Sequence, residues 1–294
     1  MLSNGKASKA PWLLPLITLL LVCLAASTQA QTLRSADDYC KRGIARYYKG
    51  DLDGAIADFD QAIECNLSDT SAYNQIQPAD RGRDTLVIGS GKLTLIIPRA
   101  AVAYYNRGLV RYNKGDIEGA IADLEQAIRL APRYAPAYNN CALVYYQQGE
   151  LDQALAHLNK ALELDPLFSA AYNNRGLIWQ DKANLTAARA DFDRAIELNP
   201  RYAQAYFNRG NIHFQRTDLE AAQADYNRAL KLDSHLAIAY ANRGLTLILK
   251  GREAEAQRDF AQCFKLDEKL KVLLEARIKD AQQLSAMLKQ QVAK

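Results

Sequence analysis

The sequence has little that breaks a helix: among 294 residues there are 15 glycines and 8 prolines. That scarcity excludes collagen-like and Pro/Gly-rich disordered chains and suits long helices. Histidine is scarcer still. The three, His157, His213 and His235, fall in no metal-ligand spacing, and no nucleophile motif or dinucleotide fingerprint accompanies them. No catalytic residue, metal ligand, cofactor or small-molecule substrate is therefore expected, and the chain reads as a non-enzyme. The run Gly89-Ser90-Gly91-Lys92 lacks the rest of a phosphate loop, because Leu86 and Leu93 stand where its first glycine and its Ser/Thr belong. The five cysteines show no C-x-x-C spacing. Cys40, Cys65, Cys141 and Cys263 read as small packed residues with free thiols. Net charge is only +4, and two of the cations, Lys6 and Lys9, lie at the far N-terminus, so neither nucleic acid nor an anionic membrane surface is indicated. What is present, 49% hydrophobic and 24% charged residues, is the composition of a packed chain rather than a disordered one.

Residues 1–30 read as a secretory signal peptide. Lys6 and Lys9 give the positive n-region, Trp12 to Ala26 the apolar core, and Thr28 and Ala30 the small residues before Gln31. The apolar run is short for a spanning helix, which needs about 20 residues. Export to the periplasm or outside the cell is expected, with anchoring by an uncleaved N-terminal segment as the alternative. Residues 31–35 are a linker.

A 34-residue period dominates the remainder. Ala103-Tyr104 returns at Ala137-Tyr138, Ala171-Tyr172, Ala205-Tyr206 and Ala239-Tyr240. With Ala101 as position 1, position 8 is Gly or Ala, small enough for two helices to approach. Gly-Asp at positions 15–16 (Gly50-Asp51, Gly115-Asp116) ends one helix and caps the next. Pro132, Pro166 and Pro200 at position 32 end the second helix. Apolar residues at positions 20, 24, 27, 28 and 30, for example Ala120, Leu124, Ala127, Ile128 and Leu130, share a helical face that no single repeat can bury.

This period and these residues resemble the tetratricopeptide repeat (TPR) family, in an exported bacterial form. The resemblance implies an all-α solenoid, a right-handed superhelix of helix–turn–helix repeats at 36–69, 101–134, 135–168, 169–202, 203–236 and 237–270. Between the first two repeats, residues 70–100 are an insertion. Thr85 to Ile97 reads as a β-hairpin about Ser90-Gly91, either a tolerated surface insertion or a lid or docking edge. From Lys269 the repeat fades into an amphipathic stretch. Residues 271–294 are expected to be a capping helix, with an oligomerisation or partner helix as the alternative.

Position 7 is Arg and position 23 is Asp in the same five repeats: Arg42 and Asp58, Arg107 and Asp123, Arg175 and Asp191, Arg209 and Asp225, Arg243 and Asp259. In the third repeat both change, to Cys141 and His157. The joint change predicts an ion pair between the two helices of each repeat, since an unpaired buried charge is costly.

The family lines a concave groove with first-helix positions 2, 5, 6, 9, 12 and 13. Position 6 is Asn at Asn106, Asn140, Asn174, Asn208 and Asn242, and aromatics fall nearby at Tyr105, Tyr112, Tyr146, Phe207 and Phe214. These ten residues are the expected peptide contacts: amides for the backbone of an extended chain, aromatics for apolar anchors. Position 2 is never basic (Asp37, Val102, Pro136, Ala170, Gln204, Ile238), which argues against clamping of a C-terminal carboxylate. The implied function is a protein- or peptide-binding scaffold. The alternative is a structural or oligomerising envelope component whose groove is filled by its own insertion or by another copy.

Overall fold

The computed structural model describes residues 35–73, 85–88 and 95–292, and side chains at 35–65, 97–288 and 290. The expected export segment and the Ser90-Gly91 turn lie outside the described residues. Two compact units divide the chain at Lys114/Gly115.

The first unit holds α1 (Ala36–Tyr48), α2 (Leu52–Tyr73), strands β1 (Thr85–Ile88) and β2 (Leu95–Pro98), and α3 (Arg99–Lys114). β1 and β2 pair antiparallel, Thr85 opposite Pro98 and Ile88 opposite Leu95, and both lie against α3. The inserted hairpin of the sequence is thus present. It does not separate the repeats it interrupts, because α3 packs on α2 as the next first helix would. Ion pairs Arg99–Asp37 and Lys114–Asp53 and a hydrogen bond from Asn113 to the Tyr47 hydroxyl tie α3 down.

The second unit holds α4 (Ile117–Leu130), α5 (Ala135–Gln147), α6 (Leu151–Leu164), α7 (Ser169–Asp181), α8 (Leu185–Leu198), α9 (Ala203–Gln215), α10 (Leu219–Leu232), α11 (Ala237–Leu249), α12 (Glu253–Leu266) and α13 (Leu270–Val292). Consecutive helices pack as helix–turn–helix pairs (α5 with α6, α7 with α8, α9 with α10, α11 with α12), and each pair stacks on the next. Alanine makes the stacking close. Positions 3, 20 and 27, for instance Ala137, Ala154 and Ala161 or Ala205, Ala222 and Ala229, are 0% exposed. Cys263 takes the position-27 place in the last repeat and is also fully buried; Cys40, Cys65, Cys141 and Cys263 are all free thiols.

Helix starts follow local chemistry. Asp116, Asn184 and Asp218 accept hydrogen bonds from the backbone N–H three residues on, satisfying one of the free donors at the head of α4, α8 and α10. In α1, Ser35 and Asp38 form a reciprocal capping box.

In the repeats with an aromatic at position 24, glycine at position 8 makes room for the ring. A Cβ on Gly176 would lie 2.6 Å from Phe192, and on Gly244 2.7 Å from Phe260. The third repeat has Leu158 instead of an aromatic at position 24, and there position 8 carries Ala142.

Candidate functional site

The face formed by the first helices is built on a lattice of guanidinium and amide contacts. Arg175 donates two hydrogen bonds to Asp191, at 2.8 and 2.7 Å. Arg209 to Asp225 (2.8 and 2.7 Å) and Arg243 to Asp259 (2.7 and 2.6 Å) repeat the geometry, and Arg42 holds Asp58 in the same bidentate way. The aspartates are buried, Asp58 at 1% and Asp191, Asp225 and Asp259 at 6% exposure. Such a fork satisfies both carboxylate oxygens, which is what lets a buried anion persist. The fifth expected pair, Arg107 with Asp123, joins residues of the two units and stays an expectation.

Two features of this lattice are not in the sequence reading. The remaining guanidinium nitrogen reaches the second helix of the preceding repeat, Arg175 to Asn159 and Arg243 to Asn227 at 2.8 Å, Arg209 to Asp193 at 2.7 Å, and Arg107 to Asp60. Each of these arginines also lies over the Tyr at position 4, from 5.2 Å for Arg42 on Tyr39 to 5.6 Å for Arg209 on Tyr206. The signal was available, since the recurrent Ala-Tyr places Tyr three residues before Arg, on one helical face.

The third repeat shows what replaces the arginine. Cys141 Sγ sits 3.9 Å from His157 Nε2, the two substituted residues in contact. Tyr145 stacks on the imidazole at 5.3 Å and donates its hydroxyl to Glu125, the acceptor that an arginine at position 7 would have reached. Burial pushes the Cys141 thiol up to about 12 and the Tyr145 phenol up to about 12, and it lowers His157. Burial thus favours the neutral forms of Cys141, Tyr145 and His157 beside the Glu125 carboxylate. Among the described residues no cluster of three or more His, Cys, Asp or Glu could hold a metal ion.

The position-6 asparagines have a second register of contacts. Asn174 donates to Asn139 at 2.9 Å and Asn208 to Asn173 at 2.9 Å, each reaching the position-5 amide of the preceding repeat. Where position 5 is Phe207 instead, Asn242 donates one turn further on, to Asn211 at 2.8 Å. In the first unit, Asn106 donates to the carbonyl of Val102 within its own helix, because the preceding repeat has Cys40 at position 5. Asn174, Asn208 and Asn242 therefore link repeats within the second unit.

The expected contact residues divide accordingly. Asn208 is 2% exposed and Phe207 8%, packed against Tyr226, so these two side chains lie inside the stack. Asn106, Asn140, Asn174, Asn242, Tyr105, Tyr112, Tyr146 and Phe214 are half-buried, with Leu143, Leu177 and Gln180 beside those of the second unit. Tyr146 donates to Asp181 at 2.6 Å, and burial together with that bond raises its phenol to about 12. The acceptor oxygens Gln180 Oε1 and Asn242 Oδ1 are buried without a hydrogen-bond partner. In the last repeat the equivalent face is covered: Leu245 and Ile248, positions 9 and 12, are 2% and 1% exposed beneath Ile278 and Ala281 of α13. In the first unit, Ile44, Tyr47, Tyr48, Phe59, Asn106, Leu109 and Val110 line a cavity of about 170 Å³.

Models of the tetratricopeptide repeat match residues 108–149, 180–216 and 210–251, residues 135–168, and residues 237–270. The chain belongs to the tetratricopeptide-repeat family. Solved structures of similar fold include PilF of Pseudomonas aeruginosa, 16% identical over 79% of this chain and 92% of that one, with a TM-score of 0.63. The Cut9–Hcn1 hetero-tetramer of the APC/C is 15% identical over 90% of this chain and 45% of that one (TM-score 0.65). A thermophilic TPR protein of Thermus thermophilus is 18% identical over 73% of this chain and 100% of that one (TM-score 0.52). A comparison with curated proteins finds no significant match. TPR proteins mediate protein–protein interactions, and their scaffolds are typically non-catalytic. Among the described residues no helix is long and apolar enough to cross a membrane.

Proposed function

We propose that this TPR protein is an exported, non-catalytic scaffold whose first-helix face in the second unit binds an extended segment of a protein partner. The observation that carries the reading is the partly exposed stretch on α5 and α7: Asn140, Leu143, Tyr146, Asn174, Leu177 and Gln180, half-buried apolar and amide side chains. An extended peptide offers such a surface backbone N–H and C=O groups for the amides and alternate side chains for the apolar positions. The signal-like composition of residues 1–30 supports export to the periplasm.

The test is capture of partners from a cell-envelope extract by the parent and by a Tyr146→Ala/Gln180→Ala variant. Both residues are half-buried, and neither belongs to the arginine lattice, so the variant should keep its helical circular dichroism. A partner held by the parent and weakened about tenfold or more in the variant supports the groove reading, the scale expected when hot-spot contacts are lost. Equal retention by both proteins moves the binding surface elsewhere.

A further inference from the structure

α13 carries most of the large apolar side chains that the described residues expose: Val272 (76%), Leu273 (69%), Met287 (59%), Leu284 (47%) and Leu288 (44%). The adjoining face is engaged. Leu274 is 2% exposed against Ala241 and Cys263, and Ile278 and Ala281 pack on α11 and α12. Large apolar side chains thus stand among the polar ones on the outer side of this terminal helix.

The exposed side has an order to it. Leu270, half-buried against the cluster of Ala241, Cys263 and Leu274, and the exposed Leu273, Arg277, Asp280, Leu284 and Met287 follow one another in alternating steps of three and four residues. That is the spacing of a two-stranded helical seam. Read from either end, the chemistry is the same: apolar, apolar, charged, charged, apolar, apolar. Arg277 and Asp280 occupy the middle and both are exposed; Arg277 lies within electrostatic reach of Tyr226, and no ion pair joins Arg277 or Asp280 to the described residues.

We propose that this stripe is an interface with a second copy of the chain, α13 against α13, antiparallel about a two-fold axis between Ile278 and Lys279. That register sets Leu270 against the second copy's Met287, Leu273 against its Leu284, and Arg277 against its Asp280, and symmetry makes every pairing twice. A parallel arrangement would put Arg277 on Arg277 and Asp280 on Asp280, so the central charges select the antiparallel one. A heterologous partner has no reason to mirror this pattern about its own midpoint, whereas self-pairing requires it. The seam from Leu270 to Met287 is about 27 Å long at 1.5 Å per residue, a small interface, so the dimer is concentration-dependent. The inference does not rest on peptide binding, since none of these residues lies on the open stretch of α5 and α7.

Sedimentation equilibrium of the purified protein over a range of concentrations tests it. The parent should shift reversibly between one and two copies. Arg277→Asp alone and Asp280→Arg alone each place like charges at the centre twice and should weaken the dimer at least tenfold. The swap Arg277→Asp/Asp280→Arg restores complementarity and should recover the parent's association. Leu284→Glu serves as an independent disruption, with helicity checked by circular dichroism in every variant. A parent that stays monomeric overturns the proposal. So does a dimer indifferent to the single charge changes, or one that the double swap leaves broken in a folded protein. The Tyr146→Ala/Gln180→Ala variant should dimerise as the parent does.

Discussion

One guanidinium at position 7 joins three elements: its own helix, the second helix of its repeat and that of the repeat before. Its absence from the third repeat therefore matters beyond one pair. There the half-buried His157 lies among Cys141, Tyr138, Tyr145 and Glu125, with burial lowering its pKa and the Glu125 carboxylate opposing that. A folded-state value below the ordinary 6.5 means that the unfolded chain binds the proton more tightly. The contribution of His157 is then fully present above 6.5 and declines as the pH falls through 6.5 towards the folded value. Urea midpoints of the parent and of His157→Gln, compared at about pH 7.5 and about pH 5, should show the parent losing ground to the variant on acidification. A gap that does not change with pH would mean that burial has no hold on this imidazole. Position 8 makes a second residue-scale prediction. Gly176→Ala drives a methyl into Phe192 and should cost about 1–3 kcal/mol in urea unfolding. Adding Phe192→Leu, the Ala142–Leu158 arrangement of the third repeat, should return most of it.

At the scale of one helical hairpin, the turn at position 15 has the same backbone in every described case, whatever the residue. Gly50, Gly115, Gly149 and Gly251 have φ between 76° and 87°, and Ala183 and Thr217 are held at 57° and 58°. The first two glycines, each followed by Asp, were readable as a helix stop and a cap. Nothing local announces the same turn at Ala183 and Thr217. The flanking helices, stacked on their neighbours, impose it, and Asn184 and Asp218 still cap α8 and α10. Left-handed backbone costs a β-branched residue about 1–2 kcal/mol, partly offset by the greater unfolded-state freedom of glycine. Thr217→Gly should therefore stabilise the protein by about 0.5–1 kcal/mol, read as a higher urea midpoint; a destabilised variant would show that the threonine side chain makes a contact worth more than the strain. The inserted hairpin was legible for the opposite reason, since alternating β-branched and apolar residues around Ser90-Gly91 speak for strands without any help from the rest of the chain.

Across the second unit the fold was readable because a 34-residue period leaves few ways to bury its apolar face, and because Arg and Asp change together. The open surface was less so. A position in the repeat says which way a side chain leaves its helix, not what arrives to cover it. Asn208 and Phe207 carry groove positions yet are inside, one bonded to Asn173 and the other against Tyr226. Leu245 and Ile248 carry them too and lie under α13, which departs from the repeat and packs mainly on the first helix α11 rather than on α12. In a stack where each repeat touches only its neighbours, the terminal cover should govern the nearest pair most strongly. Leu274, 2% exposed between Ala241 and Cys263, is the side chain that seats it. Leu274→Ala should cost about 2–5 kcal/mol locally, as deletion of a buried leucine does elsewhere. Hydrogen exchange should then quicken at the amides of α11, α12 and α13 while those of α5 to α8 keep their protection. Uniform loss of protection along α5 to α13 would mean that the unit opens all at once, and that α13 closes the whole stack rather than its last repeat.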